Sequence, residues 1–206
     1  MSDIRRKEVR VKICGLRRPE DIRIVNEAMP DYAGFILAAG RRRTVTPEQM
    51  AELSSGLTPE ICKVAVFLNQ DPEWICSLAQ RGLMDVIQLH GSECEDEILM
   101  LQKKTGKKVI KAFRIDTEED VRAAEASSAD WILLDHGMGG TGEMFDWSLL
   151  QMISRPFFLA GGLSPENVRE AIRRTCPAGV DVSSGVESDG WKDAVKVSEF
   201  MRQVRG

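Results

Sequence analysis

The chain has 206 residues, 43% of them hydrophobic and 29% charged, and a formal net charge of −4. This length supports one substantial core and is short for two, so we expect a single domain over residues 1–206. The slight acidic excess argues against nucleic acid or an anionic membrane as the main partner. The polar start of the chain argues against a secretion signal. No apolar run approaches about 18 residues in length, which argues against a membrane span, and a cytoplasmic protein is expected.

Eight short apolar runs, rich in β-branched residues, recur along the chain and are predicted to be strands. Helical patterns with recognisable start signals follow them, such as an N-cap residue before proline or a capping box. The strand runs are 10–15, 32–37, 63–68, 85–91, 108–114, 131–135, 157–162 and 179–185. The helix starts lie at Pro19, Thr46-Pro47, Asp71-Pro72, Ser92 with Glu95, Thr117, near Asp146, at Ser164-Pro165 and near Lys192, with the last helix running to about Val204.

Strand followed by helix, eight times without a long linker, is the order of a (β/α)8 TIM barrel with parallel strands and short loops. The alternative is a doubly wound open sheet, which more often has fewer strands and a glycine fingerprint after the first. Here the first turn reads Cys-Gly-Leu-Arg-Arg and lacks that fingerprint. The pattern therefore favours the barrel.

In such a barrel the residues at the carboxyl ends of the strands face the active site. The polar or small residues that this rule selects are Cys14, Arg43, His90, Asp135, Gly161-Gly162 and Ser183-Ser184-Gly185. Cys14 is either a buried small hydrophobe or a thiol placed for chemistry. Asp135 is either a helix cap or an acid.

The small residues after the seventh and eighth strands predict a phosphate site, because barrels of this kind bind phosphate there through backbone N–H groups. Each loop by itself is also an ordinary turn. The loop after Asp135 contains Gly139, Gly140, Thr141 and Gly142, a composition suited to a lid that closes over substrate. The five cysteines are widely spaced and form no C-x-x-C pair, so a disulfide framework or zinc site is not expected.

Arg41, Arg42 and Arg43 form a basic run that is either a solvated face or a grip for a carboxylate, and position alone does not select Arg43. His90 and His136 are the only histidines, and no metal-binding constellation surrounds them.

These motifs, in order, resemble phosphoribosylanthranilate isomerase of tryptophan biosynthesis. The specific strings are Lys12-Ile13-Cys14-Gly15, Gln88-Leu89-His90-Gly91, Leu134-Asp135 and the run from Val180 to Glu187. The resemblance covers nearly the whole chain and implies an Amadori rearrangement of a small-molecule substrate, phosphoribosylanthranilate, without cofactor or metal.

The resemblance implies a role for each matching residue. Asp135 is the general acid that protonates the furanose oxygen, and Cys14 is the general base that removes the C2′ proton. Arg43 binds the anthranilate carboxylate, while His90 and Asp181 lie near the substrate. Lys12, on the same face of the strand as Cys14, favours the thiolate.

The sequence departs from the family's pattern at Arg17, at Glu143 and at Gly190-Trp191, which bears on lid contacts and substrate affinity. Two alternatives stay open: a sibling phosphate-binding barrel, such as indole-glycerol-phosphate synthase or a histidine-pathway sugar isomerase, and a catalytically silent barrel that acts as a binding module. The protein is expected to be a monomer or a homodimer.

Overall fold

The computed structural model describes residues 9–38, 40–135 and 149–206. Eight parallel strands close into a barrel in sequence order, with β1 hydrogen-bonded to both β2 and β8. The barrel strands are β1 (Arg10–Cys14), β2 (Tyr32–Ile36), β3 (Cys62–Phe67), β4 (Val86–Leu89), β5 (Lys108–Arg114), β6 (Trp131–Asp135), β7 (Phe157–Ala160) and β8 (Gly179–Val182). The predicted (β/α)8 architecture is confirmed.

Seven α-helices lie in the described residues: α1 (Pro19–Ala28), α2 (Pro47–Ser54), α3 (Pro72–Gln80), α4 (Glu95–Thr105), α5 (Glu118–Ala126), α6 (Val168–Thr175) and α7 (Ala194–Arg205). Several begin as the sequence predicts. Thr46 and Thr117 each form a capping box, and Asp71 caps α3. None of these helices combines the length and apolar character that crossing a bilayer requires.

Two predicted helix starts are wrong. Ser92 does not cap α4, because the helix begins at Glu95 with Cys94 at the N-cap, whose N–H donates to Glu97. The hydroxyl and the backbone N–H of Ser92 both donate to Asn69 Oδ1. The helix after β7 begins at Val168, since residues 164–167 form a turn in which the Ser164 carbonyl accepts from Val168 N–H.

The last helix begins at Ala194 and is capped by Asp193, whose Oδ1 accepts from two backbone N–H groups. The start therefore lies near Lys192, as predicted, and Lys192 itself ends a two-stranded antiparallel hairpin of β9 (Glu187–Ser188) and β10 (Trp191–Lys192). A 3₁₀ helix, Leu149–Met152, precedes β7. The predicted start near Asp146 lies outside the described residues.

The apolar core has two parts. One lies between the barrel and the helices around it, and the other fills the barrel interior. At the amino-terminal end of the barrel, Tyr32 packs edge-on against Trp131 and Phe158, with ring centroids 5.9 and 5.7 Å away. These rings close the bottom of the barrel, and the polar interior residues are left at the carboxyl ends of the strands.

Candidate active site at the carboxyl ends of the strands

Cys14 ends β1 and is buried, with 6% of its surface exposed. Gly34 on the neighbouring strand leaves room for it, since a Cβ there would lie 2.8 Å from Cys14 Sγ and 3.1 Å from Lys12 Nζ. Burial raises the pKa of the Cys14 thiol above its ordinary value, and the positive charge of Lys12 opposes part of that rise. The thiol is thus buried beside a cation.

Lys12 is fully buried and is paired with Asp181 in register across the seam between β1 and β8. Its Nζ donates to both carboxylate oxygens of Asp181, over 2.9 and 3.0 Å. Burial by itself would lower the pKa of Lys12, but Asp181 and Cys14 together outweigh it, and the pKa lies above the ordinary value. Burial raises the pKa of Asp181 against the opposing effect of Lys12.

Asp135 and His90 form a second pair of ionisable side chains at this rim, besides Lys12 and Asp181. Asp135 ends β6, His90 follows β4, and His90 Nε2 lies 3.4 Å from Asp135 Oδ2. Gln88 Nε2 is 3.4 Å from His90 Nδ1.

The pairs Lys12–Asp181 and His90–Asp135 lie at the same end of the barrel. His90 and Asp135 both act electrostatically on Asp181, and Asp181 acts on Cys14, so one network joins strands β1, β4, β6 and β8. The predicted convergence of the first and sixth strand ends is consistent with this network. Their roles in a reaction stay predictions.

Arg43 is the member of the arginine run that lies at the rim, while Arg41 and Arg42 are exposed. A Cβ on Gly15, the residue after Cys14, would lie 2.5 Å from Arg43 Cδ. Arg43 donates from Nε and Nη2 to the two carboxylate oxygens of Glu187, each over 2.7 Å. The arginine thus lies beside the turn that follows the thiol.

The two predicted phosphate loops are in contact. Gly161 and Gly162 both have positive φ, at 90° and 60°. A Cβ on Gly185 would lie 1.8 Å from the Leu163 carbonyl oxygen, so only glycine fits there without moving a loop. Ser183 Oγ donates to the Cys14 carbonyl over 3.0 Å and joins the loop after β8 to the end of β1. Ser184 begins a short 3₁₀ helix, Ser184–Val186.

The structure brings together Cys14, Asp135, Arg43, His90 and Asp181 with both glycine–serine loops. The predicted lid residues Gly139, Gly140, Thr141 and Gly142 lie outside the described residues. In the part of the chain that the structure describes, no group of three or more His, Cys, Asp or Glu side chains is arranged to hold a metal ion.

Sequence reasoning missed Glu187 and Lys192 as site residues. Both are charged and largely buried, and both flank the unpredicted hairpin. Glu187 closes the string that carries the resemblance, which was the one signal for it in the sequence.

A closed parallel barrel with a buried thiol, a carboxylic acid and two glycine–serine loops at the carboxyl ends of its strands has the design of a (β/α)8-barrel enzyme. The family model for N-(5′-phosphoribosyl)anthranilate isomerase matches residues 11–203. The chain therefore belongs to the phosphoribosylanthranilate isomerase family, the isomerases of tryptophan biosynthesis.

Individual relatives agree with this assignment. The N-(5′-phosphoribosyl)anthranilate isomerase of Thermoanaerobacter sp. (strain X514) is 43% identical over 204 residues, covering 96% of this chain and 98% of the relative. The crystal structure of the Thermotoga maritima enzyme superposes with a TM-score of 0.85 at 37% identity, covering 95% of this chain and 98% of that one. A phosphoribosylanthranilate isomerase crystallised with reduced 1-(o-carboxyphenylamino)-1-deoxyribulose 5-phosphate gives a TM-score of 0.83 at 36% identity, with the same coverage of both chains.

Proposed function

We propose that this chain converts N-(5′-phosphoribosyl)anthranilate into 1-(2-carboxyphenylamino)-1-deoxyribulose 5-phosphate, with Asp135 as the general acid and Cys14 as the general base. The observation that carries the proposal is that two clusters share one barrel mouth. One is Cys14, Lys12 and Asp181, and the other is His90 and Asp135. A relative of similar fold binds a reduced form of the same product.

Asp135 acts first. Its carboxyl proton passes to the furanose ring oxygen, the C1′–O bond breaks, and the ring opens to a Schiff base with a free C4′ hydroxyl. The carboxyl group supplies its proton as the bond breaks, so that the ring oxygen leaves as a neutral hydroxyl.

Cys14 acts second. Its thiolate takes the C2′ proton, the electron pair of that C–H bond moves to form the C1′–C2′ double bond, and the iminium nitrogen becomes neutral. The resulting enolamine tautomerises to the ketone as the C2′ hydroxyl proton is lost and C1′ gains one. The ammonium group of Lys12 beside the sulfur favours the charged form of the base.

The two anionic ends of the substrate have separate partners in this proposal. Backbone groups of the loops at Gly161-Gly162 and Ser183-Ser184-Gly185 receive the phosphate. Arg43 receives the anthranilate carboxylate through a guanidinium fork. The lid role of residues 139–142 is part of the same proposal.

The environment of Lys111 counts against a reaction of the indole-glycerol-phosphate synthase type, which relies on lysines at the strand ends. Lys111 is buried and donates to the Gly91 carbonyl over 2.6 Å and to Glu93 over 3.1 Å. A lysine engaged in this way is not poised for proton transfer to a ligand.

The decisive experiment follows the loss of fluorescence of freshly prepared phosphoribosylanthranilate. We expect Cys14→Ala and Asp135→Asn each to lower kcat by about 10²–10⁴-fold, the usual contribution of a positioned acid or base. The matched controls are Cys176→Ala and Asp85→Asn, which change exposed residues that precede β8 and β4, at the amino-terminal end of the barrel, and should leave kcat unchanged. Circular dichroism checks the fold of every variant. A near-wild-type rate in either rim variant removes that residue from the mechanism, and a wild type without turnover refutes the function.

A further inference from the structure

Glu187 holds Arg43 along one edge of its guanidinium group. The two residues are 144 positions apart in the chain, and the two parallel hydrogen bonds between them are each 2.7 Å long. The Arg43 side chain is 18% exposed and that of Glu187 is 6% exposed. The pair is therefore largely shielded from water, and its geometry is fixed at both ends.

A guanidinium group has two edges that match a carboxylate: one formed by Nε and one terminal nitrogen, and one formed by both terminal nitrogens. Glu187 takes the Nε and Nη2 edge. Among the described residues, the structure shows no hydrogen bond from Nη1 of Arg43. The edge formed by the two terminal nitrogens is therefore available to a second carboxylate.

Glu187 is itself held in place by Lys192, its cross-strand partner in the β9–β10 hairpin. Lys192 is buried, and its Nζ donates to Glu187 Oε1 over 2.8 Å and to the Ser183 carbonyl over 2.9 Å. Although burial by itself raises the pKa of Glu187, Arg43 and Lys192 together hold it below the ordinary value. The carboxylate therefore stays charged at neutral pH.

The hairpin is also tied to the loop after β1. Arg17 donates to the Gly190 carbonyl over 2.6 Å, and its guanidinium lies 3.8 Å from the centre of the Trp191 ring. Arg17 and Gly190-Trp191 are two of the positions at which the sequence departs from the family's pattern, and the structure shows that they contact each other. This contact stabilises the hairpin that carries Glu187.

We propose that Glu187 is a positioning residue, which fixes the guanidinium of Arg43 so that its two terminal nitrogens face the carboxylate of the substrate. This inference rests on the proposed function and deepens it. The preference for ligands that carry an ortho-carboxylate on the aromatic ring then depends on Glu187, a residue that does not itself touch the substrate.

The test uses two stable ligands and measures binding by calorimetry, which does not depend on turnover. One is reduced 1-(o-carboxyphenylamino)-1-deoxyribulose 5-phosphate, and the other is its phenylamino counterpart without the carboxylate. For Glu187→Gln we expect the affinity for the carboxylated ligand to fall by about tenfold or more, the weight of a charge-assisted hydrogen bond. The affinity for the phenylamino ligand should change less than about twofold, which also shows that the variant is folded.

Arg43→Ala should show the same selective loss, and Glu187→Gln combined with Arg43→Ala should lose no more than Arg43→Ala alone, because the two residues act as one unit. The matched control is Glu170→Gln, since Glu170 forms an exposed ion pair with Arg173 on the outer surface of α6. The control should bind both ligands as the wild type does.

Equal weakening of both ligands by Glu187→Gln, or no weakening of either, overturns the positioning role while leaving the proposed function intact. A wild type that binds both ligands equally well also overturns it, since there is then no carboxylate grip to orient. A wild type that binds neither ligand refutes the proposed function itself.

Discussion

The buried pair of Lys12 and Asp181 joins the first and last strands of the barrel, and we predict how the protein responds when the lysine is removed. Lys12 is fully buried, and Asp181 keeps 10% of its side chain exposed. Lys12→Met has a similar volume and leaves the carboxylate of Asp181 without its cation. Breaking a buried ion pair on one side costs about 3–5 kcal/mol, because an uncompensated charge stays in a medium of low polarity.

Protonation of Asp181 limits this cost. Neutralising an aspartate of ordinary pKa, about 3.9, costs about 4 kcal/mol at pH 7 and about 1.5 kcal/mol at pH 5, at 1.36 kcal/mol per pH unit. Burial already raises the pKa of Asp181, and loss of Lys12 removes the main opposing effect. The folded variant then binds a proton that the unfolded chain does not, so its stability falls as pH rises between 5 and 7.

The assay is urea denaturation of Lys12→Met and of Lys12→Met/Asp181→Asn at pH 5 and pH 7. The double variant lacks the charge, so the difference between the two isolates the unpaired carboxylate. We expect the single variant to be less stable than the double by about 4 kcal/mol at pH 7 and by about 1.5 kcal/mol at pH 5. Equal stability of the two variants at both pH values would refute the reasoning, because Asp181 would then be solvated well enough to need no partner.

Two further predictions concern the thiol and the loop after β8. Because burial raises the pKa of Cys14, the rate at which iodoacetamide alkylates it, followed by mass spectrometry of the Cys14 peptide, should rise with pH through an inflection above the ordinary thiol pKa. An inflection at or below the ordinary value contradicts the burial argument. Gly185→Ala forces a Cβ to within 1.8 Å of the Leu163 carbonyl oxygen, so the loops must separate at a cost of about 1–3 kcal/mol. Inhibition by inorganic phosphate should weaken in this variant. The control is Gly56→Ala, where a Cβ meets its nearest neighbour at 3.5 Å, and phosphate inhibition should be unchanged in it. Equal inhibition of both variants contradicts a phosphate site in the loop after β8.

The strands and the residues at their ends were predictable because each strand is a local pattern. A run such as Trp131–Asp135 is short, mostly apolar and bounded, and eight such runs with intervening helices admit few other folds. The rule that parallel strands present their carboxyl ends at one rim then places Cys14 and Asp135 together without any distance information.

The pairings within the site were not predictable in the same way. Lys12 and Asp181 are 169 residues apart and meet only because the barrel closes β1 against β8 in that register. The Arg43–Glu187 pair depends on a hairpin whose strands have two residues each, too short for any periodic signal. The Ser92 prediction failed for a related reason, since a side chain 23 positions away, Asn69, accepts from both its hydroxyl and its backbone N–H.

Two buried ion pairs, Lys12–Asp181 and Lys192–Glu187, contain charged groups that act on the Cys14 thiol and help to set its pKa. Lys12 and Lys192 both lower the pKa of the thiol, while burial and the carboxylate of Asp181 raise it, and the rise prevails. A base of raised pKa is populated less at neutral pH but takes a carbon-bound proton more readily once formed. Replacing the pairs by apolar residues would cost little stability. It would, however, leave the sulfur with no cation to favour its charge, so the retained pairs are better explained by the chemistry of the thiol than by the stability of the barrel.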